Sequence, residues 1–153
     1  MATKTCTDCD KKLALNSFPE DGRGFVCRAC KQLRHQKIAS SSYEQYLKSL
    51  YKTNKHARSK RQNMVYEIEV QDLIDIWQKQ QGRCAISGVF LTHHKDGSGS
   101  KDFNASIDRI SNHQGYVRLN VQLVALRVNY LKHTLEEDMF YWWVKTIHDF
   151  SCD

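Results

Sequence analysis

The segment "SIDRISNHQGYVRLNVQLVALRVNYLK" (residues 106–132) contains an aspartate in an apolar, strand-like run and an asparagine in a helix-like run. Carboxylate and amide oxygens are hard ligands, which suit Mg²⁺ or Mn²⁺ better than zinc. A Mg²⁺ site commonly has two protein ligands, with waters and a substrate phosphate completing the coordination. Asp108 and Asn129 could therefore converge on one ion, although a helix cap or a surface group would be the simpler interpretation of either residue alone.

A second set of possible ligands is formed by two CxxC pairs, Cys6/Cys9 and Cys27/Cys30, separated by 17 residues. Each pair places two sulfurs on one tight knuckle, and two knuckles make the tetrahedral cage that zinc prefers. Residues 1–36 are too few to bury a core, so a zinc ion would stabilise them instead. Since four sulfurs leave no open coordination position, we expect one structural zinc. Four free thiols or a redox pair are the alternatives.

Hydrophobic periodicity predicts the elements that carry the two hard ligands. "ASIDRIS" is typical of an apolar strand, "NHQGY" of a turn, and "VRLNVQLV" of a second strand that leads into a helix. One face of that helix is predicted to carry Val124, Val128, Leu131 and Leu135. Upstream, "VYEIEV" (65–70) alternates with a period of two and predicts a short strand, and "DLIDIWQKQQ" (72–81) predicts a helix.

Two further helices are predicted on either side of this unit. Residues 40–63 show helical apolar spacing at Tyr43, Leu47 and Leu50. Near the C-terminus, Thr134 and Glu137 have the spacing of a capping box. The helix that follows it is predicted to bury a stripe formed by Phe140, Trp143, Val144 and Ile147.

The positive charge is concentrated in the first part of the chain. Residues 1–62 contain 14 Lys/Arg and 5 Asp/Glu, whereas residues 63–153 contain 9 and 12. A basic half favours a polyanionic partner, most simply nucleic acid, over a merely solvated surface. The protein has 153 residues, 41% of them hydrophobic, which fits one modest globular domain with a small appendage. It has neither a bilayer-length apolar run nor the apolar core of a signal peptide, so we expect an intracellular, cytoplasmic protein.

The motifs "CAISG", "ASIDRISNHQGYVRLNVQLV" and "VNYLK" resemble, in this order and approximate spacing, the HNH endonuclease family, whose site is the ββα-metal hairpin. The resemblance covers residues 63–150. It implies that Asp108 and Asn129 bind a catalytic Mg²⁺ or Mn²⁺ and that Asn120 holds the hairpin by hydrogen bonds to the backbone. Lys132 lies one helical turn after Asn129 and could reach a phosphate. The cysteine knuckles resemble those ahead of HNH domains in phage and mobile-element nucleases, which implies the cytoplasm of a bacterium or of a phage-infected host.

The chain departs from the family at Arg109, which stands where a histidine usually acts as the general base. An arginine stays protonated and cannot easily accept a proton, so it is better suited to clamp the scissile phosphate. Five residues are candidates for the base: His93, His94, His56, His113 and Tyr116. Alternatively, the metal alone could activate the attacking water.

We therefore predict an α+β protein with a zinc-ribbon-like module (1–36), a basic helical connector (37–62) and an HNH endonuclease domain (63–153). The resemblance implies metal-dependent hydrolysis of double-stranded DNA that leaves 5′-phosphate and 3′-hydroxyl ends. A monomer with one site should nick one strand, with a preference for certain sites. The basic residues expected to contact DNA are Lys52, Lys55, Arg58, Lys60, Arg61 and Lys132. The alternative function is that of a catalytically inactive DNA-binding protein with the HNH fold, and Arg109 is the residue that favours it. RNA instead of DNA is a further possible substrate.

Overall fold

The computed structural model describes residues 2–19, 24–39, 41–59, 64–93 and 100–152. Within these ranges the chain is an α+β protein with two small antiparallel sheets, which confirms the predicted fold class. The elements are β1 (Thr3–Thr5), β2 (Lys12–Ala14), α1 (Arg28–Ala39), α2 (Tyr43–Ser59), α3 (Val70–Lys79), β3 (Ala105–Arg109), β4 (Val121–Ala125), α4 (Leu126–Lys132) and α5 (Glu137–Ser151). None of the helices in these ranges is long and apolar enough to cross a membrane.

The cysteine-rich module is built around the β1–β2 hairpin, in which Thr3 pairs with Ala14. Its own small cluster of buried residues consists of Cys6, Phe18 and Cys27. This cluster is separate from the larger core of the protein. The boundary predicted at residue 36 falls inside α1, which runs continuously to Ala39.

The larger core forms where α2 and α3 pack on the β3–β4 hairpin. Leu47 of α2, Leu73 of α3 and Leu123 of β4 are all fully buried there. Tyr46 of α2 donates a hydrogen bond of 2.8 Å to the carbonyl oxygen of Ala105 on β3. The apolar face of the basic helix therefore lies on the hairpin, and its basic residues are left on the outer surface.

The prediction of a strand over residues 65–70 is wrong. Tyr66 forms a single bridge to Tyr116, and α3 begins at Val70. The main-chain N–H groups of Glu67 and Ile68 both donate to the carbonyl oxygen of Tyr116, so the segment is tied to one residue rather than to a strand. The approach is close enough that a Cβ on Gly115 would lie 2.4 Å from the carbonyl oxygen of Val65, which explains the glycine in the turn before Tyr116.

The prediction that the C-terminal helix buries an apolar stripe is also wrong. Phe140 is buried, but Trp143, Val144 and Ile147 are 47%, 48% and 60% exposed. The 3.6-residue period correctly indicated an amphipathic helix, but periodicity cannot say what covers its apolar face.

The predicted capping box and the predicted face of the preceding helix fail for local reasons. Helix α5 begins at Glu137 after Glu136, so Thr134 lies too early in the chain to cap it. Val124 belongs to β4, and Leu131 on α4 is 63% exposed. The predicted helical face crosses the junction at Ala125, where the backbone changes from strand to helix.

Candidate active site and zinc centre

The β3–β4 hairpin and α4 form a compact ββα unit around Asp108. Asp108 pairs with Gln122 in the antiparallel register. Helix α4 follows β4 directly at Leu126. Because no loop intervenes, α4 turns back over β3 and brings Asn129 and Lys132 to the strand that carries Asp108.

Asp108 is engaged by a lysine in the interior of the protein. The ammonium group of Lys132 lies 3.1 Å from Oδ1 and 2.9 Å from Oδ2 of Asp108, and it also donates to the carbonyl oxygen of Arg109 at 2.8 Å. The Lys132 side chain is 0% exposed and that of Asp108 is 6% exposed. Buried charges of this kind need partners, and here each provides the other's neutralisation.

Two further side chains continue this network, and sequence reasoning missed both. Gln122 donates to Oδ2 of Asp108 at 3.0 Å and to Oε2 of Glu137 at 3.1 Å. The first turn of α5 is thereby connected to the hairpin. The period of two in β4 put Gln122 on a definite face of its strand, but the register that sets it opposite Asp108 could not be derived from the sequence alone.

Asn129 lies against the same strand. Its amide nitrogen donates to Oγ of Ser106 at 2.7 Å and to the carbonyl oxygen of Ile107 at 3.3 Å. The amide oxygen is therefore the atom that Asn129 can offer to a metal. The carboxylate of Asp108 and this amide oxygen have the hard-donor chemistry that Mg²⁺ and Mn²⁺ prefer, so the two residues fit such an ion, although Lys132 shares the carboxylate.

Arg109 is held by the turn that follows β3. Its guanidinium group donates to the carbonyl oxygens of Asn112 and Gln114, both at 3.1 Å, and to Oδ1 of Asn112 at 3.2 Å. The group also lies 5.5 Å from the ring centre of Tyr116, and Arg58 of α2 approaches the same ring at 5.4 Å. A guanidinium group has five N–H donors, so Arg109 retains donors for a further acceptor.

Asn120 is buried, and its side chain bonds to the backbone of the turn. Its side-chain oxygen accepts from the N–H of Ser111 at 2.9 Å, and its side-chain nitrogen donates to the carbonyl oxygens of Ser111 and Gly115 at 2.9 and 3.0 Å. These contacts close the turn that also fixes Arg109. They are the type of contact that the proposed hairpin-holding role of Asn120 requires.

The candidate general bases are dispersed. Tyr116 is buried beside Arg109. His113 is highly exposed, with its ring nitrogen 3.9 Å from Glu136. His56 is exposed on α2, and His93 is half-buried after the bridge residue Thr92. His94 lies outside the described residues.

The residues predicted to contact DNA divide into three groups. Lys52 and Lys55 are exposed on α2, and Arg58 is half-buried there against Tyr116. Lys60 and Arg61 lie outside the described residues. Lys132 differs from the expectation that it reaches a phosphate: its ammonium group is fully buried and hydrogen-bonded in the interior, because the carboxylate beside it requires a cation.

The four paired cysteines converge in the N-terminal module. The sulfur atoms of Cys6, Cys9, Cys27 and Cys30 all lie within 4.8 Å of one another, so this cluster could hold a zinc ion. All six cysteines of the chain are among the described residues, and each is a free thiol.

Backbone hydrogen bonds prepare one of these sulfurs to act as a ligand. Sγ of Cys6 accepts from the N–H groups of Cys27 and Asp8 at 3.3 and 3.4 Å. The bond from Cys27 is the main cause that lowers the pKa of Cys6 to about 6. In contrast, the side-chain hydrogen bond between Cys30 and Cys27 is the main cause that raises the pKa of Cys30 to about 12. The knuckle thus stabilises a thiolate at Cys6, the form in which sulfur binds zinc.

Replacement of Asn120 by alanine is expected to destabilise the hairpin. The Ser111 and Gly115 backbone groups would be left without their partners, which typically costs about 1–3 kcal/mol of unfolding free energy. Urea unfolding followed by tryptophan fluorescence measures the loss of stability. Asn16→Ala, at an exposed asparagine, is the control and should leave the transition unchanged. Equal stability of Asn120→Ala and the parent would exclude the hairpin-holding role.

Replacement of Cys27 and Cys30 by serine is expected to release the zinc and unfold residues 1–36, while the larger core stays folded with its separate cluster of buried residues. Elemental analysis should give one zinc per parent chain and none in the variant. Cys152→Ser, at an exposed cysteine, should retain the zinc. Two zinc ions per parent chain would contradict a single structural site.

No family model matches the chain, and no curated protein matches it. Among solved structures, the chain is similar to PacI, described as a rare-cutting HNH restriction endonuclease with an extraordinary mechanism of DNA perturbation. The two are 17% identical, and the match covers 94% of this chain and 92% of PacI with a TM-score of 0.41. The chain resembles HNH endonucleases in the order of its motifs and of its two strands and helix.

Proposed function

We propose that this chain is a metal-dependent endonuclease that nicks double-stranded DNA and leaves 5′-phosphate and 3′-hydroxyl ends. The observation that supports this function is the contact of Asn129 with the strand that carries Asp108. Asn129 donates to Ser106 and to Ile107, the residues that immediately precede Asp108 on β3. Two hard oxygen donors that are distant in the sequence are thereby carried by facing elements of one ββα unit.

In this proposal the protein supplies ligands, a phosphate clamp and a proton acceptor. Asp108 and Asn129 would hold Mg²⁺ or Mn²⁺, and such an ion would neutralise negative charge on the phosphate and the leaving 3′ oxygen. Arg109, oriented by its hydrogen bonds to the turn, would use its remaining donors on the scissile phosphate.

The proton acceptor for the attacking water must lie within hydrogen-bond reach of the site. Tyr116 is the candidate that contacts Arg109, and it is therefore the first to test by substitution with phenylalanine. His113 is the second, because it follows the same strand and turn at the protein surface.

The basic surface of α2 would bind phosphates on either side of the cut. Lys52 and Lys55 are exposed, and α2 is attached to the hairpin through the hydrogen bond between Tyr46 and Ala105. Phosphate contacts supply affinity and register but little sequence specificity, which other groups would have to provide.

An inactive HNH-fold DNA-binding protein is the second candidate function. The ion pair between Asp108 and Lys132 favours it, because the carboxylate is already neutralised by a buried cation. Conversion of supercoiled plasmid to the open-circular form with Mg²⁺ or Mn²⁺ separates the two: an active enzyme nicks, whereas a binding protein only retards the plasmid.

Asp108→Asn and Asn129→Ala should each reduce the nicking rate by about 10²–10³ or more, because the developing charge loses its main stabiliser. Binding of DNA should persist, since most affinity comes from basic residues elsewhere. The double variant should be scarcely slower than either single variant, because the two residues act as a unit. Asp149→Asn, at an exposed position on α5, is the control. Either ligand variant nicking at the parent rate in Mg²⁺ would refute the assignment.

Neutralising the basic face of α2 should weaken the salt dependence of binding. The residues to replace by glutamine are Lys52, Lys55 and Arg58. Each replacement that removes a phosphate contact should make the negative slope of log K against log [salt] shallower by about 0.9. Fluorescence anisotropy with a labelled duplex over a salt series measures this slope, and Lys145→Gln on α5 is the control. An unchanged slope in the triple variant would mean that these residues form only a solvated surface.

A further inference from the structure

The ammonium group of Lys132 occupies the carboxylate that the proposed metal must use. We infer that Lys132 is the resident counter-cation of Asp108, and that a divalent cation binds at Asp108 only by displacing this ammonium group. The inference rests on the proposed function, because it assumes that Asp108 is a metal ligand. It adds a residue that controls access to the metal site.

The hydrogen bonds of Lys132 are saturated in the interior. An ammonium group has three N–H donors. Here it contacts both oxygens of Asp108 and the carbonyl oxygen of Arg109, all within 3.1 Å. A side chain that is 0% exposed and fully partnered is a built position, not a surface lysine that happens to lie near a carboxylate.

The carboxylate has little room for a second cation beside the first. Asp108 accepts two contacts from Lys132 and one from Gln122, out of about four lone-pair positions. A divalent ion at the remaining lone pair of Oδ1 would lie close to the ammonium nitrogen of Lys132, because that nitrogen is itself 3.1 Å from Oδ1. Repulsion between a divalent and a monovalent cation at such a distance is large away from bulk water. Exchange therefore relieves a conflict that simultaneous binding would create.

The location of Lys132 allows this exchange. It is the last residue of α4, and the next residue, His133, has a φ of 50° that ends the helix. The exchange moves the ammonium group away from the carboxylate by rotation of its flexible four-carbon stem. A substrate phosphate at the same site would be an alternative acceptor for the displaced group.

Binding of Mn²⁺ to the zinc-loaded full chain, measured by the electron paramagnetic resonance signal of free Mn²⁺, tests this inference. Lys132→Met removes the competing cation and shortens the unbranched side chain by only one atom, so Mn²⁺ should bind about tenfold more tightly or better. Lys132→Arg retains the charge and should not bind more tightly than the parent. Lys145→Met is the control for loss of a surface charge and should match the parent.

Binding gained by Lys132→Met must also depend on Asp108. Adding Asp108→Asn to Lys132→Met should abolish the gain; if the gain persists, the Mn²⁺ is elsewhere and the inference is wrong. Unchanged or weaker Mn²⁺ affinity in Lys132→Met, or no detectable Mn²⁺ binding by either this variant or the parent, would also overturn it.

Thermal unfolding with and without Mn²⁺ provides a second test if Lys132→Met is unstable without metal. The unpaired carboxylate should lower the melting temperature of the metal-free variant, and Mn²⁺ should raise it by more than in the parent. An equal shift in both proteins would count against the exchange.

The two proposals can fail separately. A parent enzyme that nicks DNA, together with unchanged Mn²⁺ affinity in Lys132→Met, would refute the exchange but leave the nuclease assignment intact. Asp108-dependent Mn²⁺ binding in a protein that never nicks DNA would refute the nuclease assignment but leave the exchange intact.

Discussion

The buried ion pair between Asp108 and Lys132 is the interaction on which the rest of the candidate site depends. It joins β3 to the end of α4, and the same ammonium group also binds the carbonyl oxygen of Arg109. Removing one partner of such a pair typically costs about 3–5 kcal/mol, because the other charge is left buried. The hairpin, the helix and the turn that holds Arg109 are therefore coupled through one charge, and any ligand at Asp108 must act on all three.

The protein obtains its stability from two separate sources. The ββα unit, α2 and α3 share an apolar core in which Leu47, Leu73 and Leu123 are fully buried. The N-terminal module has a much smaller cluster, and its four converging sulfurs could hold a zinc ion that would replace the missing apolar contacts. Because α2 belongs to the larger core, its basic face keeps a fixed position relative to the hairpin. Loss of zinc should therefore leave that basic face in place.

Local sequence patterns predicted the hairpin, the following helix and the cysteine cluster, because strand period, turn glycine and CxxC spacing are short-range features. They could not predict what depends on tertiary contacts. Glu137 had the spacing of a capping residue, yet its side chain accepts a hydrogen bond from Gln122. Lys132 was expected at a phosphate, yet a buried carboxylate holds it in the interior. Trp143 had core spacing, yet it is half exposed, since periodicity specifies a face and not its cover.

Anomalous diffraction at the manganese edge, from crystals of the zinc-loaded protein soaked in Mn²⁺, would show whether a divalent cation at Asp108 and Asn129 displaces Lys132. We expect one manganese peak within coordination distance of both a carboxylate oxygen of Asp108 and the amide oxygen of Asn129. The ammonium group of Lys132 should have left Asp108, and a separate zinc peak should lie at the four cysteines. A manganese peak away from Asp108, or an Asp108–Lys132 pair that persists beside bound manganese, would contradict it.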